Sequence, residues 1–349
     1  MSIRAQDASP HLDQGQKTMK NHRIRFGGPK KRAIQSSLLP EQLNIETLTF
    51  DGRGFARVNG KAVFVSDAIP GDLVSAKLVK QNRGYDEASL ENIIQPSPDR
   101  IEPECEYYEQ CGGCDLQHLS VSKALALKEI EVLNQLKHHA RIEPKQIDPP
   151  IRSPQVFGYR RSARIGINQR ESGELLIGFR RRDSSNLITI EQCPILEHRI
   201  NAFLADLRAT LIQEAKVKQI TQLLVSAGSS ALCAELRVTK KLNDALIHSL
   251  RNIAEAHQVQ LSLSFGDAPS EVISSSPEHF FYEIDTDIKI EFSATDFLQA
   301  NASVNLAFVA SVIEWLQPNS EDNLLDLYAG LGNFSLPLAK RVKKVVAVE

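Results

Sequence analysis

The sequence lacks several features that would place it in common classes of protein. No apolar run approaches the roughly 20 residues that a membrane-spanning helix requires, and the first 21 residues contain no apolar core of the kind found in secretory signals. We therefore expect a cytoplasmic protein with no membrane partner. Cysteine is scarce, with five in 349 residues, and without an export signal a disulfide pairing is disfavoured. A P-loop lysine motif is also absent, which argues against a P-loop ATP site.

The net charge of −2 hides an uneven distribution of basic residues. Residues 1–34 carry eight lysines and arginines against two aspartates, with almost no apolar periodicity. We predict a disordered basic tail over residues 1–37. A tail of this kind either binds phosphate backbones or acts as a solubilising leader, and the sequence leaves both readings open.

Four of the five cysteines lie in two short, turn-like stretches. Cys105, Cys111 and Cys114 have the spacing C-x5-C-x2-C in CEYYEQCGGC, and Cys193 precedes a proline in EQCPIL. Soft metals and iron–sulfur clusters both prefer several thiolate ligands, so these four residues are candidate metal ligands. An iron–sulfur cluster is favoured over a structural zinc ion, because zinc sites more often show two C-x2-C pairs. Cys233, within the strand-like ALCAELRV, reads as an ordinary buried thiol.

Residues 38–97 read as short strands separated by turns, with Asn59-Gly60 between two β-rich runs as a strong hairpin signal. About five short strands predict a small OB-like barrel. The stretch TFDGRGFARVNGKAVFVSDAIPGDLVSAKLVKQNRGYDEASL resembles a TRAM domain, a small β-barrel module of RNA-modifying enzymes. The resemblance implies RNA binding, and a generic small barrel is the alternative.

Residues 98–290 are predicted to form a central α+β domain, which includes the cysteines and a helix over 120–140. Two groups of arginines stand ahead of the fourth cysteine: Arg160, Arg161 and Arg164, then Arg180, Arg181 and Arg182. Arginine suits phosphate recognition, although a solvated strand face is the plainer reading. Our hypothesis is that these arginines and the cysteine site form one RNA-facing surface.

Residues 291–349 predict the beginning of a Rossmann-like domain. LLDLY reads as a buried strand, Ala329–Asn333 as a glycine turn, FSLPLAKRV as the start of a helix, and VVAVE as a second strand that ends in Glu349. This order is half of a nucleotide-binding βαβ unit, and the final acid is suited to accept hydrogen bonds from ribose hydroxyls. The turn is shorter than a dinucleotide G-x-G-x-x-G, which favours S-adenosylmethionine over NAD.

The cysteine motif together with DFLQAN and DLYAGLGNFS resembles the RNA uracil-C5 methyltransferases. The most similar type carries a TRAM domain and a four-cysteine iron–sulfur domain, and modifies 23S ribosomal RNA. The resemblance covers residues 40–349. It implies a class I methyltransferase domain, a [4Fe–4S] cluster on the four cysteines, and ribosomal RNA rather than DNA as partner. It also implies contacts to S-adenosylmethionine from Gln299, Tyr328, Asn333 and Glu349. Tyr328 and Phe297 as core aromatics and Gln299 as a helix cap are the alternatives.

The chemistry of this family requires a cysteine that adds to C6 of uracil and a carboxylate that removes the C5 proton after methyl transfer. In the family both residues lie beyond the second strand of the methyltransferase sheet, and the sequence carries no substitute for them before Glu349. We therefore assign no catalytic residue, and we expect a truncated chain that does not methylate RNA by itself. A non-catalytic RNA-binding iron–sulfur protein is the alternative.

Overall fold

The computed structural model describes residues 39–214, 217–266, 268–274, 280–285 and 287–349. The basic tail predicted for residues 1–37 lies outside these residues. Within them, no helix combines the length and the apolar character needed to cross a bilayer.

The first sheet has six strands and forms a small barrel. Its strands are β1 (Leu43–Asn44), β2 (Thr47–Leu48), β3 (Gly54–Val58), β4 (Lys61–Ser66), β5 (Leu73–Gln81) and β6 (Tyr85–Gln95). They are ordered β1-β5-β6-β4-β3-β2. Because β1 and β2 are neighbours along the chain but lie at opposite ends of this order, the sheet must curl until its ends meet. The predicted Asn59-Gly60 hairpin turn joins β3 and β4, and both residues have the positive φ that a type I′ turn requires, 51° and 81°.

One buried carboxylate anchors the segment that follows the barrel. Asp72 is fully buried and accepts hydrogen bonds from the backbone N–H groups of Ile69 and Ser97, at 2.9 and 2.8 Å. The guanidinium of Arg100 forms an ion pair with it at 2.5 Å. Burial alone would raise the pKa of Asp72, but these hydrogen bonds and the Arg100 charge lower it below its usual value. The barrel is thereby tied to the segment that leads to the cysteines.

The predicted helix over 120–140 is interrupted near its end. α1 runs over Val121–Gln135 and is followed by one π-helical turn, Leu136–Ala140. Ala124 and Leu127 are buried against Leu48 and Ile69 of the barrel. The π-helical turn has no buried side chain, so tertiary packing does not stabilise a regular last turn.

A second sheet of seven strands forms the centre of the chain. Its strands are β7 (Ser162–Gln169), β8 (Leu175–Arg180), β9 (Leu187–Thr189), β10 (Ile220–Ala227), β11 (Leu232–Val238), β12 (Val259–Phe265) and β13 (Glu271–Val272), in the order β13-β12-β11-β10-β7-β8-β9. Two helices, α2 (His198–Gln213) and α3 (Asp244–Ala256), contribute their apolar faces to its core. The pairing of β11 and β12 is parallel, and α3 supplies the crossover that such a pairing requires.

The last part of the chain holds two small sheets. β14 (Phe281–Asp285) pairs with β15 (Ile288–Glu291), and β16 (Asn323–Leu327) pairs in parallel with β17 (Lys344–Val348). α4 (Ala302–Leu316) and α5 (Ser335–Ala339) are the helices of this part. Strand, glycine turn, helix and strand follow one another as the sequence predicts.

Asp72→Asn should destabilise the protein by about 3–5 kcal/mol, because it leaves the Arg100 charge with a neutral partner in a buried site. The lowered pKa of Asp72 means that its contribution is complete above about pH 4 and is lost as the pH falls through the folded-state value. The difference between variant and parent should therefore shrink below pH 4. Urea denaturation followed by circular dichroism measures both effects.

Asp51→Asn is the matched control, because Asp51 forms an exposed ion pair with Arg53. That substitution should cost less than about 1 kcal/mol. Equal losses for the two variants would contradict the role given to Asp72.

Candidate functional site

The four motif cysteines line one pocket, here called the thiol pocket. Cys105, Cys111 and Cys114 come from the segment between the barrel and α1, and Cys193 comes from the turn before α2. The other lining side chains include Tyr108, Gln117, Arg160, Phe179, Ile190 and Ile195. The structure thus brings together the residues that the spacing singled out, although Cys193 is far away in the sequence.

Backbone pairing holds the first three cysteines against the sheet. The N–H of Gly112 donates to the carbonyl of Arg180 at 3.0 Å, and the N–H of Arg182 donates to the carbonyl of Gln110 at 2.9 Å. A Cβ on Gly112 would lie 3.3 Å from the Arg180 carbonyl oxygen. The glycine is therefore explained by this close approach, and its φ is not left-handed.

Asn201 on α2 positions the fourth cysteine. Its side-chain Oδ1 accepts from the N–H of Cys193 at 3.0 Å, and its Nδ2 donates to the carbonyl of the same residue at 2.9 Å. Both backbone groups of Cys193 are thereby satisfied by one amide side chain. Sequence reasoning missed Asn201, because an asparagine in the first turn of a helix is common and carries no metal signal.

Arg182 is a structural residue of the thiol pocket. Its Nη2 donates to the carbonyl of Cys114 at 2.8 Å, and its Nη1 lies 3.3 Å from a carboxylate oxygen of Asp115 and 3.6 Å from one of Asp67. Asp67 belongs to the barrel, so this side chain joins the barrel to the cysteine segment. The sequence prediction of a phosphate contact for Arg182 is wrong, because its donors face inward.

Three of these thiols have raised pKa values, so a positively charged centre would have to promote the loss of their protons before they could bind it. Burial raises the pKa of Cys111 and of Cys114, and it raises that of Cys193 to about 11. Four soft donors suit zinc and iron–sulfur clusters alike. Among the described residues, however, no group of three or more His, Cys, Asp or Glu side chains is arranged to hold a single metal ion.

A second, larger cleft of about 470 Å³ adjoins the thiol pocket. We call it the arginine cleft, and its basic lining is Arg160, Arg164, Arg180 and Arg181. Gly112 and Gly113 of the cysteine segment also line it. Four of the six arginines that the sequence pointed to thus meet in one place, next to the thiol pocket.

Arg161 departs from that prediction, because it is buried. Its Nε donates to the carbonyl of Gln299 at 2.8 Å, its backbone N–H donates to the carbonyl of Ala300, and its guanidinium stacks on the ring of Tyr282 at 4.4 Å. Burial lowers the pKa of Arg161. This side chain holds the DFLQAN segment in place and is not available to phosphate.

The glycine turn places Tyr328 and Glu349 side by side. Leu327 pairs with Val348 in the parallel register, and the residues that follow each of them lie at the same edge of the sheet. The N–H of Gly330 donates to Oε2 of Glu349 at 2.8 Å. Tyr328 has a positive φ of 60° and is 92% exposed, so it is not a core aromatic.

Asn333 is fixed by a pair of reciprocal hydrogen bonds with Asn305 of α4. Asn305 donates to Asn333 at 2.8 Å, and Asn333 donates back at 3.0 Å. Asn305 is buried, so this pair ties the glycine turn to the helix that follows DFLQAN. Sequence reasoning missed Asn305, which reads as one polar position in an apolar helix.

The DFLQAN segment lies at the surface except for Leu298, which packs in the same hydrophobic cluster as Val309 of α4. The side chain of Gln299 is exposed, and Phe297 is 80% exposed. The helix cap here is Asn301, whose Oδ1 accepts from the N–H of Val304 at 3.0 Å. The alternatives of a core role for Phe297 and a capping role for Gln299 are therefore wrong.

Cys233 is buried in that hydrophobic cluster, as the sequence predicts. Burial raises its pKa to about 12, which leaves the thiol protonated at neutral pH. It has none of the features of an activated nucleophile.

Two family models place the barrel and the glycine turn in one class, that of RNA-modifying methyltransferases. Residues 42–90 match the model of the TRAM domain, and residues 123–349 match the model of a family described as tRNA (Uracil-5-)-methyltransferase. The chain belongs to this family, the S-adenosylmethionine-dependent RNA uracil-C5 methyltransferases, which are transferases.

Curated relatives agree with this membership, and a solved structure has a similar fold. The chain is 33% identical over 327 residues to the 23S rRNA (uracil(1939)-C(5))-methyltransferase RlmD of Hahella chejuensis, covering 92% of this chain and 72% of that protein. The RlmD of Nitrosococcus oceani is 34% identical with the same coverage. The fold is similar to the tRNA (uracil-54, C5)-methyltransferase of Pyrococcus abyssi, solved with S-adenosyl-L-homocysteine. That likeness has a TM-score of 0.62 at 20% identity and covers 85% of this chain and 70% of that one.

Arg182→Ala should loosen the thiol pocket, because it removes the donor to the Cys114 carbonyl and the link to Asp67. We expect the thiols of metal-free protein to react several-fold faster with a disulfide reagent, as local opening becomes more frequent. Labelling each cysteine and quantifying it by mass spectrometry measures this.

Arg181→Ala is the neighbouring control, since Arg181 is exposed and its guanidinium donates to Gln110. It should change the labelling rates little. An equal increase of the cysteine labelling rates in both variants would contradict the role given to Arg182.

Proposed function

We propose that this chain recognises 23S ribosomal RNA and S-adenosylmethionine for methylation at C5 of a uridine in the cytoplasm. The observation that carries the proposal is the hydrogen bond from the glycine turn to Glu349, which sets an acidic side chain at the edge of a parallel strand pair. Crevices outside the carboxyl ends of parallel strands are where such sheets bind nucleotides. The names of the curated relatives support the RNA substrate.

The cofactor residues we propose are Gln299, Tyr328, Asn333 and Glu349. In the described part of the chain, Oε1 of Glu349 makes no hydrogen bond, while Oε2 is held by Gly330. The free oxygen is suited to accept from a ribose hydroxyl, and the exposed ring of Tyr328 offers an apolar face beside it. Asn333 is positioned through Asn305, and Gln299 through the Arg161 contact to its carbonyl.

The chain's own residues would bind and orient the two substrates. Bringing the sulfonium methyl group next to uracil C5 removes much of the entropic barrier to transfer. The target base must leave its stack to reach the site. We assign no nucleophile, since four of the five cysteines line the thiol pocket and Cys233 is buried. Because no nucleophile is assigned, binding of RNA without catalysis is a second candidate function.

The outer face of the barrel is suited to RNA. Phe55, Phe64 and Tyr85 form a continuous row, with ring centroids 5.9 and 5.5 Å apart. Arg57 stacks on Phe55 and Arg53 on Phe64. Aromatic rings with arginines beside them are a common surface for stacking of single-stranded bases, which supports RNA binding by the TRAM domain.

We further propose that Cys105, Cys111, Cys114 and Cys193 hold a [4Fe–4S] cluster. The chemistry of the donor set supports the fit. The four thiols come from two segments far apart in the sequence and line one pocket, and iron–sulfur clusters prefer such soft donors. The cluster would cross-link distant segments, and methyl transfer needs no electron from it.

Glu349→Gln should weaken binding of S-adenosylmethionine and of S-adenosylhomocysteine about 10- to 100-fold, because one charge-assisted hydrogen bond to the ribose is lost. Titration calorimetry with each ligand measures the affinity. The control is Glu314→Gln, an exposed position on α4 that should leave the affinity unchanged. Absence of binding to the folded parent protein would overturn the proposed function.

Cys193→Ala should abolish cluster assembly, whereas Cys233→Ala should not, since Cys233 lies outside the thiol pocket. Anaerobic reconstitution of the parent should yield about four irons and about four sulfides per chain. Iron and acid-labile sulfide assays measure this for all three proteins. One tightly bound zinc ion without sulfide in the parent would favour the zinc alternative and contradict the proposed [4Fe–4S] cluster.

A further inference from the structure

The arginine cleft is a charged feature that the proposed methyltransferase chemistry does not use. It collects residues from three places: Arg160 ahead of β7, Arg164 on β7, and Arg180 and Arg181 at the end of β8. The acidic side chain in its lining is Asp183. The cleft therefore carries a clear excess of positive charge.

These guanidinium groups are not neutralised by any of the described residues. In the part of the chain that the structure describes, none of the four has a carboxylate within salt-bridge distance, whereas the neighbouring Arg182 is near Asp67 and Asp115. Arg164 and Arg180 are both exposed. Their donors are thus available to an anion from solution.

Two of these positive charges come from neighbouring strands. Arg164 lies on β7 and Arg180 is the last residue of β8, and the two strands pair antiparallel from Gly166 opposite Gly178 to Gln169 opposite Leu175. Both side chains line the same cleft, so a bound anion would reduce the repulsion between their charges.

We propose that the arginine cleft is a binding site for backbone phosphates of the RNA substrate, with Arg164 and Arg180 as its principal contacts. This inference rests on the proposed function, which supplies the RNA. Planar guanidinium groups bind phosphate oxygens in pairs, and four of them around a cleft of about 470 Å³ suit a polyanionic strand better than one small anion. Contacts to phosphate position an RNA without reading its sequence.

The cleft shares its wall with the thiol pocket. Gly113, Arg160 and Phe179 line both, and the Gly112 N–H is bonded to the Arg180 carbonyl. The backbone that presents Arg180 and Arg181 is therefore held by the cysteine segment. This gives the pocket a role in placing phosphate contacts, apart from any part in the reaction.

The test is the salt dependence of RNA affinity, measured by fluorescence anisotropy with a labelled single-stranded ribo-oligonucleotide in a series of KCl concentrations. Each phosphate contact to single-stranded nucleic acid adds about 0.7 to the slope of log affinity against log salt. The double variant Arg164→Ala/Arg180→Ala should lower that slope by about 1.4 and weaken binding at least tenfold at low salt. Arg164→Lys/Arg180→Lys should keep the slope, because the charges remain.

The charge-matched control is Lys240→Ala/Lys241→Ala, which removes two exposed positive charges just after β11. It should leave the slope unchanged. An unaltered slope in the arginine double variant, with RNA binding intact, would overturn the assignment. The assignment would also be overturned if inorganic phosphate bound in the cleft but the arginine variants had no effect on RNA affinity.

The same experiment separates this inference from the proposed function. Binding of S-adenosylhomocysteine, followed by calorimetry, should be unchanged in the arginine and the lysine double variants. One outcome is that the parent protein binds S-adenosylhomocysteine and RNA, while the salt slope of RNA affinity is the same with and without Arg164 and Arg180. That outcome contradicts the phosphate site but not the proposed function. A folded parent that binds neither ligand contradicts both.

Discussion

The pairing of the cysteine segment with the end of β8 is the constraint on which the functional face depends. Two backbone hydrogen bonds, between Gly112 and Arg180 and between Arg182 and Gln110, bring a loop that has no regular structure onto the end of β8 in the central sheet. One side of this contact becomes the thiol pocket, and the other becomes a wall of the arginine cleft. Arg182 extends the same contact to the barrel through Asp67. A loop with few regular hydrogen bonds of its own is a natural place for a covalent or metallic cross-link.

Two neighbouring arginines connect this face with the proposed cofactor site. Arg160 forms isolated bridges with Leu196, near the fourth cysteine, and with Asn301, at the end of DFLQAN. In extended backbone successive side chains point to opposite sides. Arg160 therefore lines the arginine cleft, while Arg161 turns inward to the carbonyl of Gln299. The arginine that lines the proposed RNA site and the arginine that holds the cofactor segment are thus adjacent in the chain.

The local signals of the sequence were reliable where a short-range rule decides the structure. The Asn59-Gly60 turn and the strand–glycine turn–helix–strand order follow from backbone preferences that neighbours cannot easily override. The helix over 120–140 was less well predicted, since its last turn has no buried side chain to hold a regular geometry. The phosphate-binding role predicted for Arg161 and Arg182 was wrong, because the sequence does not distinguish an arginine that donates to buried carbonyls from one that faces solvent.

The sequence by itself determined the family, the barrel, and which cysteines belong together, because spacing and residue type are local properties of the chain. Tertiary structure alone decided which arginines meet in a cleft, and it supplied Asn201 and Asn305 as the residues that position Cys193 and Asn333. It also set Glu349 against the glycine turn. These relations join residues far apart in the chain, and their energies come from packing and hydrogen bonds that exist only once the sheets have formed.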